Sequence, residues 1–317
     1  MRRLPLLVAA GLICACGPTV AAPTAAPSGA PSAAPGAAPR AAPGASPAPP
    51  PAPVAPPSAA PELAPASVPR LPPPPPAPPA PTVAPAWVVG ASPLPLRPDG
   101  FGEVLPTPAV LRERSMTAAN LLPPPSGGAF RSSVQAISPA VRARMGRTWS
   151  PECPVPLADL RYVSVSFRGF DGAAHTGELV VAASFADDVV AVFARLFAAD
   201  FPIEQMLLIT DADLDAPPTG DGNNTAAFIC RAARGQTRWS QHAYGTAVDI
   251  NPFHNPLVKR GLVLPELASS YADRSPVRPG MHASGTPAVR AFSSIGWKWG
   301  GAWRSSKDYM HFSENGQ

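Results

Sequence analysis

The sequence predicts an α+β domain that follows a long proline-rich arm. Proline accounts for 48 of the 317 residues; 29 of these prolines lie within residues 18–98, whereas residues 128–317 contain 13. A uniform globular fold is excluded, because proline lacks the backbone donor that helices and central strands require. In the C-terminal part, strand and helix patterns follow each other without regular βαβ alternation, which favours the α+β class.

The first half of the domain contains the patterns of two strands and a helix. Residues 161–167 alternate apolar and polar side chains, which is typical of a half-buried strand. Residues 169–177 have the composition of a turn, and residues 178–181 predict a second strand. We expect a helix from an N-cap at Ser184 to about Asp200, because apolar residues recur there at helical spacing and a proline follows.

The second half contains shorter elements. Residues 206–209 form an apolar run suited to a buried strand, and a loop rich in Asp, Gly and Pro follows it. Residues 246–250 predict a further strand, and residues 287–296 predict a short helix with proline in its first turn. A short helix is also expected at residues 110–121, before the domain begins.

The N-terminus has the pattern of an export signal. Two arginines precede an apolar run over residues 4–13, which is too short to span a bilayer. The segment Ile13-Cys14-Ala15-Cys16 resembles a bacterial lipobox, so residues 1–16 are predicted to be a lipoprotein signal with Cys16 as the lipidated residue. An ordinary cleaved signal peptide is the alternative, because small residues also satisfy its cleavage rule.

Residues 17–127 are predicted to be a disordered Pro/Ala-rich linker. Residues 18–98 carry four charged residues and few large apolar ones, so burial cannot offset the entropy of ordering them. Proline runs favour the extended polyproline II conformation, which rises about 3.1 Å per residue. The predicted task of this segment is to tether the domain, whose expected bounds are residues 128–317.

The charge of the chain excludes one class of partner. The formal net charge is +4, and the basic residues are spread along the sequence. Nucleic-acid binding requires basic residues clustered on one face. We therefore expect no nucleic-acid partner.

Two cysteines lie within the predicted domain, Cys153 and Cys230. In an exported protein, two such cysteines most often form a disulfide, although a pair of free buried thiols is the alternative. Neither has a nearby cysteine, so a cysteine-based metal site is not expected.

Two segments concentrate residues that bind metals, residues 240–251 and residues 307–312. Imidazole and carboxylate are good zinc ligands, and a catalytic zinc keeps three protein ligands and one open position. His242, Asp249 and His311 are the candidate ligands. The interpretation gains weight because Asp249 and His311 lie in apolar runs, where an unpaired polar group would be costly.

Asp308 is the candidate general base. It precedes His311 by three residues, and on one regular strand these two side chains would face opposite sides. Asp308 can therefore share the metal face only if it lies in a turn before the strand of His311. There it would act on a metal-activated water.

These residues carry a family resemblance. The pattern S-x-H-x-x-G-x-A-x-D-x-N at residues 240–251, followed by W-x-W-G-G-x-W at 297–303 and D-x-M-H-F at 308–312, resembles the zinc D-alanyl-D-alanine carboxypeptidase/L-alanyl-D-glutamate peptidase family of bacterial cell-wall enzymes. Further matches lie at residues 177–181, 201–204, 223–225 and 228–231. The resemblance covers roughly residues 153–312.

The resemblance implies a small mixed or antiparallel sheet with flanking helices, in a fold shared with the hedgehog signalling domain. It implies one Zn²⁺ held by His242, Asp249 and His311, with Asp308 as acid/base. Arg231 matches the position from which related enzymes steady the substrate or its oxyanion; a surface arginine is the alternative.

Two further residues are candidate substrate contacts, Ser240 and Trp299. Trp299 belongs with Trp297 and Trp303 to a cluster that we expect in the core or the cleft wall, with stacking on a glycan as the alternative. The other histidines, His175, His254 and His282, are expected in turns or at the surface rather than as ligands.

The function implied is hydrolysis of peptidoglycan stem peptides by a monomeric, exported and membrane-anchored lipoprotein that faces the cell wall or periplasm. Both D,D-carboxypeptidase and L-Ala–D-Glu or D,D-endopeptidase activities fall within the resemblance. An aspartate at position 308, where several carboxypeptidases have glutamate, leans towards the endopeptidase-like members. A cell-wall-binding module of the same fold without catalysis is one alternative, and a purely structural zinc, which would need a fourth ligand, is the other.

Overall fold

The computed structural model describes residues 87–117 and 120–317. The predicted signal of residues 1–16, the lipidation site Cys16 and most of the predicted linker lie outside the described residues. No helix in the described part is long and apolar enough to cross a membrane.

The described chain contains four α-helices and eleven short strands, which confirms the predicted α+β class. The helices are α1 (Pro139–Met145), α2 (Ala186–Ala198), α3 (Asp211–Asp215) and α4 (Pro287–Ser293). The strands are β1 (Ser132–Ala136), β2 (Leu160–Arg168), β3 (Ala174–Ala182), β4 (Gln205–Met206), β5 (Asn224–Thr225), β6 (Ala247–Asp249), β7 (Leu257–Lys259), β8 (Leu262–Leu264), β9 (Lys298–Trp299), β10 (Lys307–Asp308) and β11 (His311–Ser313).

The largest sheet has the order β1-β2-β3 and is antiparallel throughout. Both β2 and β3 extend beyond the predicted strands at residues 161–167 and 178–181, and β3 takes in part of the predicted turn. Apolar residues of β2, such as Val163 and Val165, are fully buried because they alternate towards one face of the sheet.

Helix α2 covers that apolar face. Its buried residues recur at helical spacing, so one stripe of the helix faces the sheet. They are Ala186, Val189, Val192, Phe193, Leu196 and Phe197. The predicted N-cap differs: Ser184 lies in a 3-10 turn, Ala183–Phe185, and the helix begins after Phe185 without a side-chain cap.

Two small antiparallel sheets carry the second half of the domain. One has the order β6-β11-β9 and the other the order β10-β7-β8. Helix α4 and Trp297 pack on the first sheet, where the rings of Phe292 and Phe312 stack with centroids 4.2 Å apart. This packing joins the β6-β11-β9 sheet to the core beneath α2.

Cys153 and Cys230 form a disulfide with Cα atoms 5.8 Å apart. The backbone N–H of Cys230 also donates to the carbonyl of Thr148, at 2.9 Å. The bridge closes a loop of 77 residues, which is worth about 4 kcal/mol in the chain-entropy description. It fixes the segment that leads into Arg231.

Residues 87–117, called the strap below, pack on the domain, although the sequence predicts a linker up to residue 127. Leu94 and Leu111 are buried against Phe253 and Tyr271 in a separate apolar cluster. The proline-rich composition predicts a disordered linker here. A few large apolar residues between the prolines are nevertheless enough to anchor a segment with little regular structure. The expected helix at residues 110–121 is absent from the described part, which has only a 3-10 turn, Ala109–Leu111.

A buried ion pair clamps the C-terminal part of the strap. The Arg114 Nε donates to Glu204 Oε2 at 2.7 Å, and the Arg114 side chain is inaccessible to solvent. Asn223 donates to the same carboxylate, and Arg114 also donates to the carbonyl of Asp221 at 2.7 Å. Each hydrogen-bonding group of the pair is thereby satisfied, as a buried charge requires.

Replacing Arg114 with alanine is expected to lower the free energy of unfolding by about 3–5 kcal/mol, because it leaves the Glu204 carboxylate buried without its partner. Urea denaturation followed by tryptophan fluorescence measures this change. Arg112→Ala, at an exposed position two residues earlier, is the control and should change stability little. Equal midpoints for the two variants would contradict the clamp.

Candidate functional site

His242 lies in a short 3-10 helix, Gln241–Tyr244. The Ser240 side chain caps this helix by accepting from the backbone N–H of His242. The helix ends at Gly245, whose φ is +69°. A Cβ at Gly245 would lie 2.5 Å from the backbone nitrogen of Ala182, so glycine is required for both the turn and the close contact with β3.

Asp249 and His311 are brought together by the pairing of β6 with β11. In this antiparallel register, His311 lies directly opposite Asp249. The Nδ1 atom of His311 is 3.0 Å from Asp249 Oδ1, and the Nε2 atom of His242 is 3.3 Å from Asp249 Oδ2. The structure therefore brings together the three residues that the sequence predicts as candidate ligands.

Backbone carbonyls fix the orientation of both imidazoles. The Nδ1–H of His242 donates to the carbonyl of Ala227 at 2.5 Å, and the Nε2–H of His311 donates to the carbonyl of Gln317 at 2.9 Å. The remaining ring nitrogens, His242 Nε2 and His311 Nδ1, are therefore the atoms with free lone pairs, and they lie 3.2 Å apart. Such outer contacts are characteristic of metal-binding histidines.

Three acceptors thus converge without a donor between them when both histidines are neutral. Their ligand atoms all lie within 4.8 Å of one another. Convergent lone pairs repel unless a proton or a cation lies between them. Two imidazole nitrogens and one carboxylate fit a zinc ion, which takes nitrogen and oxygen ligands in this number at hydrolytic sites.

The charges of the group are strongly coupled. Burial by itself would raise the pKa of Asp249, but the charges and hydrogen bonds of His242 and His311 outweigh it and hold that pKa well below its usual range. Burial opposes the charge on His311, yet the hydrogen bond and charge of Asp249 raise its pKa to about 8. In the absence of a cation, a proton on His311 compensates the carboxylate.

Asp308 lies in the same cleft but on a different sheet from His311. Strand β10 pairs with β7, with Asp308 opposite Leu257, whereas β11 pairs with β6. Asp308 therefore lies in a strand and not in the predicted turn, and the change of sheet between β10 and β11 lets it share the cleft with His311. Its Oδ1 atom is buried and has no hydrogen-bond partner among the described residues.

The environment of Asp308 favours its protonated form. Burial is the main cause, and the negative charge of Asp249 adds to it; together they raise the pKa of Asp308 to about 7 despite the opposing charges of His311, Arg234 and Arg231. Two carboxyl groups in one cleft thus have pKa values far apart. That separation is typical of sites that divide the roles of acid and base.

These groups line a cleft of about 800 Å³. Arg231 lies in its wall, where desolvation lowers the pKa of the guanidinium while the charges of Asp249 and Asp308 oppose that shift. Ser240 also lines the cleft. Trp299 is not among the residues that line it: its indole N–H donates to the carbonyl of Tyr309 at 2.8 Å and its ring packs on the core. Its substrate contact stays a prediction.

Several residues of the cleft wall were not predicted from the sequence. They are Lys259, and Asp99 and Phe101 from the strap. Trp303, expected in the core or the cleft wall, also lines the cleft. No motif marks the strap residues, which lie where the sequence predicts a linker. Only the long-range contacts of the strap bring them to the site.

The other histidines are buried rather than exposed in turns. His175 is 3% exposed, and His254 and His282 are inaccessible. The Nε2–H of His254 donates to the carbonyl of Arg114, and burial, with the nearby arginine charges, lowers its pKa to about 3. Burial likewise lowers the pKa of His282 to about 3. His254 and His282 are therefore neutral structural groups. None of the three histidines belongs to the candidate metal-binding group.

Two imidazoles and a carboxylate on one side of an open cleft, with a buried carboxyl group nearby, define a candidate metal-dependent hydrolytic site. Residues 234–314, about a quarter of the chain, match a family model described as D-alanyl-D-alanine carboxypeptidase. The matched segment contains all three candidate ligands and Asp308, and the match supports the predicted family and a hydrolase that acts on peptide bonds. No curated protein and no solved structure matches the chain.

Replacing Asp249 with asparagine is expected to weaken metal binding by at least roughly 100-fold, because even the groups that only orient ligands contribute 10- to 100-fold. Calorimetric titration with Zn²⁺ measures the affinity, and one ion per chain is expected for the unmodified protein. Asp188→Asn, on the exposed side of α2, is the control and should leave affinity unchanged. Equal affinities would remove Asp249 from the ligand set.

In the metal-free protein, the Asp308 carboxyl group is expected to titrate near pH 7 and Asp249 well below its usual range. Carboxyl ¹³C chemical shifts, followed as a function of pH and assigned with the Asp308→Asn variant, measure both pKa values. Since the folded pKa of Asp308 is raised, this group stabilises the fold at low pH, and its contribution is lost as pH rises from 3.8 to about 7. Titration of Asp308 near its ordinary value would contradict the assignment.

Proposed function

We propose that the chain is a membrane-tethered, zinc-dependent peptidase that hydrolyses peptide bonds in peptidoglycan stem peptides. The observation that carries this proposal is the convergence of His242 Nε2, His311 Nδ1 and the Asp249 carboxylate beside Asp308 in one cleft. The match to a carboxypeptidase family over the same residues supports the reaction class and the wall-peptide substrate.

His242, Asp249 and His311 would hold the zinc ion. A bound zinc ion supplies Lewis-acid activation of water and of a carbonyl group. The protein contributes a rigid arrangement, because the carbonyls of Ala227 and Gln317 lock both imidazoles with the required lone pairs facing inward. Little reorganisation of the ligands is then needed on binding.

Asp308 would move the proton. As a carboxylate it takes a proton from the attacking water at Oδ1. No described residue forms a hydrogen bond to this atom. It then donates the proton to the nitrogen of the departing amine as the peptide bond breaks. A pKa near neutrality suits a group that must both accept and release a proton.

Arg231 would bind negative charge on the substrate. No carboxylate of the described chain is within ion-pair distance of its guanidinium, although Arg231 lines the same cleft as Asp249 and Asp308. Its planar donors suit the oxyanion that develops at the scissile carbonyl or a substrate carboxylate. The disulfide at Cys230 fixes the backbone next to it.

The arm would tether this domain to a membrane through Cys16. Because the strap is part of the domain, the tether comprises residues 17–86 rather than 17–127. In a fully extended polyproline II conformation it would reach about 220 Å, at roughly 3.1 Å per residue. Such a span suits an exported enzyme whose polymeric substrate cannot diffuse to it.

Replacing Asp308 with asparagine is expected to lower kcat on purified muropeptides by about 10²–10⁴-fold while zinc content stays unchanged, because only the proton transfer is lost. Mass spectrometry of the digested fragments measures turnover and identifies the bond that is cleaved. Asp188→Asn serves as the matched control.

Full turnover by Asp308→Asn would remove this residue from the mechanism. Tight binding of muropeptides by the unmodified, zinc-loaded protein without cleavage would instead favour the alternative of a wall-binding module.

A further inference from the structure

One wall of the cleft comes from the strap. Residues 96–102 form a tight hairpin, in which the N–H of Arg97 donates to the carbonyl of Phe101 at 2.7 Å and Leu96 pairs with Gly102. The hairpin is pinned to the domain because the N–H of Gly102 donates to Glu266 Oε1 at 3.1 Å. Phe101, at its end, lines the cleft that contains the candidate ligands.

Phe101 holds a cationic side chain in that cleft. The guanidinium carbon of Arg234 lies 4.5 Å from the centroid of the Phe101 ring, which is the geometry of a cation–π contact. Arg234 follows Arg231 by three residues, and both line the cleft. The Phe101 ring therefore restricts a flexible side chain that would otherwise lose entropy on binding a ligand.

The cationic groups of this wall form no ion pairs with the residues that the structure describes. Arg234, Arg231, Arg238 and Lys259 line the cleft, and within residues 87–117 and 120–317 none of them forms an ion pair with a carboxylate. Desolvation and the positive charge of Arg231 lower the pKa of Arg234, although the charges of Glu266, Asp249 and Asp308 oppose this shift. Two guanidinium groups so close in one cleft repel each other. An anionic ligand would relieve that repulsion.

We propose that Phe101 positions Arg234 to bind a carboxylate of the peptide substrate, so that the strap sets a preference for anionic peptides. The proposal rests on the proposed peptidase function and adds a second cationic contact to that of Arg231. A guanidinium group recognises a carboxylate through two parallel hydrogen bonds, which a neutral carboxamide cannot match in charge. Phe101 is a positioning residue, because it acts through Arg234.

The test compares two synthetic stem peptides that differ only in charge, one with free carboxylates and one in which they are carboxamides. We expect the zinc-loaded protein to have a KM at least roughly tenfold lower for the carboxylate peptide, the effect of one charge-assisted contact. Phe101→Ala and Arg234→Ala should each reduce this ratio towards one by raising KM for the carboxylate peptide.

Two further variants separate positioning from folding. Phe101→Tyr keeps an aromatic face under Arg234 and should restore the preference. Leu96→Ala, at a position on the same hairpin that is 63% exposed and outside the cleft lining, should retain it fully. The proposal is overturned if Phe101→Ala keeps the unmodified ratio, or if Leu96→Ala loses it equally.

Binding separates failure of this proposal from failure of the peptidase function. Calorimetry with the Asp308→Asn protein, loaded with zinc, measures Kd for the same two peptides without turnover. A preference for the carboxylate peptide that depends on Phe101 supports the proposed positioning of Arg234, even if no peptide is cleaved. Equal Kd values for both peptides would overturn it even if cleavage by the unmodified protein is established.

Discussion

The pairing of β6 with β11 is the constraint on which the site depends. Its register sets His311 opposite Asp249 and Phe312 opposite Val248. Side chains alternate along a strand, so Val248 and Phe312 enter the core, where both are inaccessible, while the two ligands face the cleft. A slip of one residue would bury the carboxylate and expose the apolar pair. Burial of the core and assembly of the ligand group therefore specify the same register.

The two carboxyl groups of the cleft differ because of their positions relative to the histidines. Asp249 contacts both imidazoles, which hold its pKa below the usual range, whereas Asp308 contacts neither and is repelled by the charge on Asp249. The change of sheet between β10 and β11 creates this difference, because it separates Asp308 from His311 within three residues of sequence. One short segment thus provides both a ligand and a group able to carry a proton.

Local sequence patterns predicted the strands and helices that short-range interactions determine. Alternation identified β2, and helical spacing identified α2. The motif at residues 240–251, together with the distal D-x-M-H-F, predicted three residues that do converge. Residues held by distant contacts could not be found in this way. His254 is buried because the Arg114 carbonyl and Asn223 satisfy its ring nitrogens, and Trp299 packs inward because its indole N–H reaches the carbonyl of Tyr309. The strap was missed since proline-rich composition describes a segment on its own, without the surface that receives it.

That surface also holds the strap on both sides of its hairpin. Two contacts precede the hairpin along the chain: the indole N–H of Trp87 donates to Asp221 Oδ2 at 2.9 Å, and the N–H of Leu94 donates to the carbonyl of Pro218 at 2.8 Å. The Arg114 clamp follows the hairpin and binds Glu204. The hairpin is therefore held on both sides, which fixes the position of Phe101 against Arg234.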